Sequence, residues 1–509
     1  MSACRTGSPG GFPSRESRRR RGTLGRRPSA QLQTAVSAGG VELHRATVRR
    51  VTAEPLPRAN PPAGIVRTIA GDAAAEALAL AAAIPFLFLH ATYQPTVSLG
   101  LGSTSVDVTL ADAAIACVLV AAGLRARSEG WEPLLRARIV LGLAAGFLLV
   151  CVVSLATPAL LGEDYDVTRH AVSLAKFGWY ATLLPATVLL VRSAVDAVPL
   201  VRALVVWSAA ATSWGLLQFL GVVAEFEGKR PGQREPSFVG IHDLAALSGA
   251  ALVVGAVGVA LGDSGPGGAM ARLPGGRRWA VAALVTGAVG VVLSGAMTAV
   301  LGLWLALAAV LLGARAIGVL RARRALVLMG VTLLVTVGTA TMRADTIERF
   351  AEFIGIRERV ADTGVESYAH RTLLAYIGGR IWLDRPVTGV GWQASSEEWA
   401  YGPFLDDARA RFPGEPDQAF PSPEHPWGIQ MLYLQVAADL GLAGIALLLG
   451  LAAAGVAAAV RGLRSSPVPL VGLGWLCVVA GVWTGIGLVA GLPLEALTWI
   501  AFGLVTVRE

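Results

Sequence analysis

A series of apolar stretches, each about the length of a membrane span, constrains this chain most strongly. A helix that crosses the hydrocarbon needs about 20 mostly apolar residues. By that criterion the sequence predicts an all-α, polytopic membrane bundle of about twelve spans, nine within residues 73–341 and three within residues 429–509. The candidate spans lie near 73–92, 108–124, 138–160, 171–191, 199–222, 238–261, 279–295, 298–314, 325–341, 429–460, 470–490 and 493–507. With 54% hydrophobic and 15% charged residues, the composition excludes an ordinary soluble domain.

The distribution of basic residues predicts the orientation of the bundle. Residues 1–72 hold thirteen arginines against four acidic residues and are expected to form a disordered, basic cytoplasmic tail. Alternate connectors between the spans are rich in arginine, and the intervening ones are neutral, acidic or mixed. The positive-inside bias therefore places both termini in the cytoplasm and residues 342–428 outside it. This bias explains the charge of the tail more simply than a nucleic-acid partner does, so no nucleic acid is expected.

Residues 342–428 form a long polar segment in an otherwise apolar chain, and any chemistry is expected there. Apolar residues recur at helical spacing between residues 366 and 383, and Pro386 follows. This pattern predicts a helix that ends before the proline. If that helix continues through Gly378 and Gly379, Arg371 and Arg380 lie on opposite sides of it. The whole segment is predicted to be a large, partly helical extracytoplasmic loop.

The order of motifs around this segment is similar to that of a known family. Arg371 is followed by Pro386, which opens the run PVTGVGW. After His425 comes the stretch YLQVAADLGLAG at 433–444, which enters an apolar span. In this order, and with one large loop between the ninth and tenth candidate spans, the chain resembles the O-antigen ligase and polymerase family of polytopic membrane glycosyltransferases.

The resemblance implies transfer of a polyprenyl-diphosphate-linked glycan to a saccharide or lipid acceptor, among membrane lipids at the outer face of the cytoplasmic membrane. No cofactor and no metal are expected. Arg371 would hold the diphosphate, because a guanidinium binds phosphate oxygens in bidentate fashion and stays charged. Arg380 and Arg385 are weaker candidates for the same anion. His425 is the candidate general base, and Trp392 is a candidate for stacking on a sugar or for anchoring at the membrane interface.

The sequence also departs from the pattern of the family. The family commonly has an arginine where this chain has Met297, and a His-Asn pair where it has Gln430 and Met431. Neither Gln430 nor Met431 can act as a general base. A transporter or flippase of envelope precursors, a catalytically inactive relative and a non-catalytic scaffold are therefore alternatives. A flippase is expected to hold its key charges inside the bundle, and the gathering of charges at residues 342–428 favours an enzyme.

Overall fold

The computed structural model describes residues 74–101, 104–262, 277–356 and 367–508. The predicted basic tail lies outside these residues. The helices are α1 (Ala77–Leu87), α2 (Leu110–Glu129), α3 (Glu132–Arg136), α4 (Arg138–Ser154), α5 (Thr157–Leu161), α6 (Val167–Ala181), α7 (Leu183–Leu190), α8 (Ala194–Phe219), α9 (Ile241–Leu261), α10 (Arg277–Ser294), α11 (Met297–Ala316), α12 (Ala322–Met342), α13 (Ala344–Phe353), α14 (Ser367–Asp384), α15 (Glu398–Tyr401), α16 (Leu405–Arg411), α17 (Leu432–Gly462), α18 (Val468–Val482) and α19 (Pro493–Leu504).

The described residues are mostly helical, in agreement with the predicted class, but the number of full-length spans is smaller than expected. Six described helices are long and apolar enough to cross a membrane, namely α8, α9, α10, α11, α12 and α17. Four shorter apolar helices, α1, α4, α18 and α19, accompany them. Two of the twelve predicted spans are interrupted. The stretch 171–191 divides into α6 and α7, and the stretch 470–490 stops being helical after Val482.

A short β-hairpin was not predicted. Strands β1 (Val97–Leu101) and β2 (Thr104–Val108) pair in antiparallel fashion, with Val97 opposite Val108. The hairpin connects α1 to α2, so the chain crosses between these two helices with its backbone hydrogen bonds satisfied.

The core of the bundle is α9, which packs against α8, α10, α11 and α18. Nearly all of its residues are buried. Glycines allow the closest approach between neighbouring helices. A Cβ atom at Gly287 of α10 would lie 2.6 Å from the Leu252 backbone nitrogen of α9, and one at Gly302 of α11 would lie 2.6 Å from the Val478 carbonyl oxygen of α18. Small residues at helix contacts are typical of membrane bundles.

A buried ion pair ties together one end of the bundle. Arg125 Nη2 of α2 lies 3.0 Å from Asp196 Oδ2 of α8, and both side chains are almost fully buried. Arg192 donates to the backbone carbonyls of Glu129 and Gly130 beside it. This is one of the arginine-rich ends that the sequence assigns to the cytoplasm.

The 342–428 segment has a small core of its own. The helix predicted at 366–383 is confirmed as α14, and it continues through Gly378 and Gly379 without a break. Leu373, Leu374 and Ile377 of α14 are buried against apolar side chains from the later part of the segment. This second core fixes the orientation of α14 relative to α17.

Candidate active site

Arg371 of α14 contacts two other parts of the chain. Its Nε donates to Oε1 of Gln430 at 3.3 Å, and its Nη2 lies 3.5 Å from Nε2 of His242. Gln430 lies just before α17, and His242 is the second residue of α9. The guanidinium therefore lies where α14, the first turn of α9 and the residues just before α17 meet.

Arg371 and His242 face a cavity of about 690 Å³. The wall opposite them is the non-helical stretch after α18, because residues 485–490 all line the cavity. Arg169 and Lys176 of α6 add two more basic side chains. None of the described residues that line this cavity is acidic. The cavity is therefore suited to an anionic ligand.

Two further arginines, Arg234 and Arg343, lie in the electrostatic neighbourhood of Arg371. Burial, together with the positive charges of Arg343 and Arg371, lowers the pKa of Arg234 to about 10. Burial also lowers the pKa of Arg371; the nearby Tyr368 opposes this shift and Arg343 adds to it. Within the described residues, none of these three arginines forms an ion pair with a carboxylate. The nearby carboxylate of Glu227 acts in the opposite direction on the pKa of Arg234, so the positive charge concentrated here is offset only in part.

Arg234 and Arg343 both lie against the tight turn between α10 and α11. A Cβ atom at Gly295 in that turn would be 3.0 Å from Cβ of Arg234 and 3.3 Å from Cδ of Arg343. This is the turn at which the resembled family commonly has an arginine and this chain has Met297. Arginines from two other segments thus lie beside the turn that contains Met297.

Arg380 and Arg385 do not line the cavity. Arg380 lies on the other side of α14, where its Nε is 3.4 Å from Oδ2 of Asp407 and its guanidinium lies over Phe404. Arg385 pairs with the neighbouring Asp384 at 3.5 Å. Because α14 is unbroken, the structure brings only Arg371 of these three predicted anion ligands to the cavity.

His425 and Trp392 are also outside the lining of the cavity. His425 is exposed and stacks on Trp427 with 5.9 Å between the ring centroids. Its role as a base stays a prediction. Trp392 is only 1% exposed and packs against Phe177 in the core of the bundle. Its indole is enclosed by protein, so neither sugar stacking nor interfacial anchoring fits its position.

The run PVTGVGW at 386–392 and the stretch YLQVAADLGLAG at 433–444 form hydrogen bonds with each other and support the site. Val390 and Gly391 donate backbone hydrogen bonds to the carbonyls of Ala438 and Asp439, both at 2.9 Å. At this point α17 contains a break, since Gly441 has a φ of 60° and non-helical backbone. The run that follows Pro386 therefore satisfies backbone groups that the break leaves free.

The side chain of Asp439 fixes the backbone of residues 393–395, which follow the 386–392 run. Its carboxylate accepts from the backbone nitrogens of Gln393 at 3.1 Å and Ser395 at 3.0 Å. Gln393 has a φ of 55°, which is rare for a residue other than glycine, and its side chain lines the cavity. Asp439 thus positions a residue of the site without facing the cavity itself.

Sequence reasoning did not assign His242, Arg234, Arg343 or Gln393 to the site. His242 carried a signal, as a polar residue at the start of an apolar stretch, and it is the second residue of α9. The other three carried none, because only the fold brings them close to Arg371.

Comparison with known proteins agrees with the resemblance seen in the motifs. Residues 282–449 match the family model described as O-Antigen ligase. The matched stretch contains α11, α12, the 342–428 segment and the break in α17. A search of curated proteins finds no match to this chain.

Proposed function

We propose that this chain, which carries an O-antigen ligase domain over residues 282–449, transfers a glycan from a polyprenyl diphosphate to a saccharide or lipid acceptor at the outer face of the cytoplasmic membrane. The family match supports glycan transfer of the ligase or polymerase type in envelope polysaccharide synthesis. The apolar helices support a membrane location. The donor, its orientation and the roles of individual residues are our proposal.

The observation that carries the proposal is the arginine cluster beside the polar cavity, whose arginines form no ion pair with a carboxylate among the described residues. A diphosphate brings two or more negative charges and several acceptor oxygens. Arg371 lines the cavity and can present two parallel N–H groups to one phosphate. Arg343 acts on the protonation of Arg371, and Arg371 and Arg343 act on that of Arg234, so the three arginines strengthen the positive potential at the same place.

A neighbouring apolar cavity supports a lipid-linked donor. It has a volume of about 320 Å³ and is lined mainly by apolar and aromatic side chains of α17, α18 and α19. Leu488 lines both cavities. A donor could therefore place its diphosphate beside Arg371 and the first part of its isoprenoid chain among these helices.

The proposed reaction needs little more than charge stabilisation and a base. The acceptor oxygen forms a bond to the anomeric carbon, and the bond from that carbon to the diphosphate breaks with its electron pair on the leaving oxygen. Arg371 stabilises the charge that develops there. The proton of the acceptor hydroxyl must pass to a base.

A transporter or flippase is the second candidate, and two observations favour it. The break in α17 at Gly441 resembles the discontinuous helices of transporters. Asp243 of α9 and Glu495 of α19 are carboxyl groups buried inside the bundle. Such a protein would move the lipid-linked glycan without breaking the anomeric bond.

Substitution of Arg371 tests the proposal in cells. Arg371→Ala should reduce envelope polysaccharide transfer by about 10–100-fold, since a hydrogen bond to a charged group contributes about 1.5–3 kcal/mol. Arg371→Lys should recover part of the loss, because the charge returns but the bidentate geometry does not. Arg380→Ala is the matched control, being on the same helix but paired with Asp407. Normal transfer by Arg371→Ala, at equal protein level, would contradict the proposal.

A further inference from the structure

His242 stands apart from the other histidines of the described residues by its contact with Arg371. Its Nε2 lies 3.5 Å from Nη2 of that guanidinium. The ring is partly buried and lines the polar cavity. Its Nδ1 is buried and has no hydrogen-bond partner among the described residues. An imidazole is therefore already in the place where the donor would react.

Gln430 occupies the position at which the resembled family has its histidine. In this structure Gln430 accepts a hydrogen bond from Nε of Arg371. A carboxamide can orient the guanidinium in this way, but it cannot accept a proton at neutral pH. The geometry thus gives Gln430 an orienting role and leaves the proton transfer to another group.

The contact with Arg371 also defines the state of the imidazole. An arginine only donates, so Nε2 must accept from it and the ring proton lies on Nδ1. A bound diphosphate would compete for the donors of Arg371 and release the lone pair of Nε2. Burial of the ring opposes a positive charge on His242, and so do the nearby positive charges of Arg371, Arg234 and Arg343. A bound diphosphate would offset the positive charges of these arginines, so the positive charge of a protonated His242 would be compensated.

We infer that His242 is the general base of the transfer, an inference that rests on the proposed function. As the acceptor oxygen bonds to the anomeric carbon and the diphosphate leaves with its electron pair, the acceptor proton passes to Nε2 of His242. The donor activates this base by taking Arg371 away from it. Proton transfer is thereby coupled to donor binding.

The test uses purified full-length protein with a polyprenyl-diphosphate-linked oligosaccharide and a saccharide acceptor. His242→Ala should lower kcat by about 100-fold or more, as is typical for loss of a general base. The affinity for polyprenyl diphosphate should change less than tenfold, since Arg371 remains. The acid limb of the pH profile of kcat should disappear from the residual rate. His425→Ala tests the base that the sequence pattern favours: a comparable loss there, with the wild-type rate in His242→Ala, would overturn the inference.

A second variant separates catalysis from structure. His242→Gln can still accept from Arg371, but it cannot take up a proton in this pH range. If it is as impaired as His242→Ala, the inference stands. Recovery of the wild-type rate by His242→Gln, or an unchanged rate in His242→Ala, would overturn the inference while the proposed function survives. Absence of transfer by the wild type would overturn both.

Discussion

Replacement of Gly389 by alanine should destabilise the folded protein at the contact between the 386–392 run and α17. It should not remove a contact with the substrate. Gly389 has a φ of 66°, a conformation that costs an L-residue about 1–2 kcal/mol. A Cβ atom there would lie 2.6 Å from the Leu440 backbone nitrogen, and closer still to the carbonyl group of Asp439. Backbone atoms cannot rotate away as a side chain can, and such overpacking costs about 1–3 kcal/mol more. The free energy of unfolding should therefore fall by about 2–5 kcal/mol.

Thermal unfolding of the purified protein in detergent measures this effect. In a folded chain of this size a loss of that magnitude should lower the melting temperature by about 2–6 °C. Gly379→Ala is the matched control, because Gly379 lies within α14 and a Cβ atom there would meet nothing within 4 Å. That variant should be unchanged or more stable by up to about 1 kcal/mol. If Gly389→Ala unfolds at the same temperature as the wild type, the 386–392 run and α17 do not contact each other as described.

Three further perturbations test other parts of the structure. Burial raises the pKa of Glu235 to about 7 from its ordinary 4.5. Between these two pKa values the folded state holds a proton that the unfolded state releases, so the free energy of unfolding falls as the pH rises through this window. Glu235→Gln should therefore raise the melting temperature more at pH 8 than at pH 4. Equal shifts at both pH values would contradict this. Arg125→Ala should lower the free energy of unfolding by about 3–5 kcal/mol, because it leaves Asp196 buried without its partner; denaturant unfolding giving less than about 1 kcal/mol would contradict it. A cysteine at the exposed Gln418 should react with an impermeant thiol reagent in intact cells and one at the exposed Ser128 should not, in a background without native cysteines; labelling of Ser128→Cys alone would reverse the proposed orientation.

The helices were predictable where the pattern was local. The periodicity before Pro386 located α14 within one residue at each end. The end of α18 carried local signals too, since Gly485, Gly487 and Gly491 follow it and weaken a helix. The apolar composition of residues 483–490 outweighed these glycine signals in the prediction, because a glycine-rich wall of a cavity and a membrane helix have similar hydropathy.

The site was predictable only in part, because its residues meet through the fold. Arg371 was found from its spacing to the glycine motif. Its partner His242 is 129 residues away in sequence, and no pattern connects the two. The same holds for Arg234 and Arg343, which reach one turn from different segments. Spacing also could not show that the indole of Trp392 faces the core.

One measurement tests the central claim most directly. The purified wild-type protein in detergent, with a chelator and without nucleotide, is given a polyprenyl-diphosphate-linked oligosaccharide and a saccharide acceptor. Release of polyprenyl diphosphate should equal the glycan transferred, and both should fall together in Arg371→Ala but not in Arg380→Ala. No release across several donors and acceptors, with movement of the intact lipid-linked glycan across vesicles containing the protein, would contradict the proposal and establish transport.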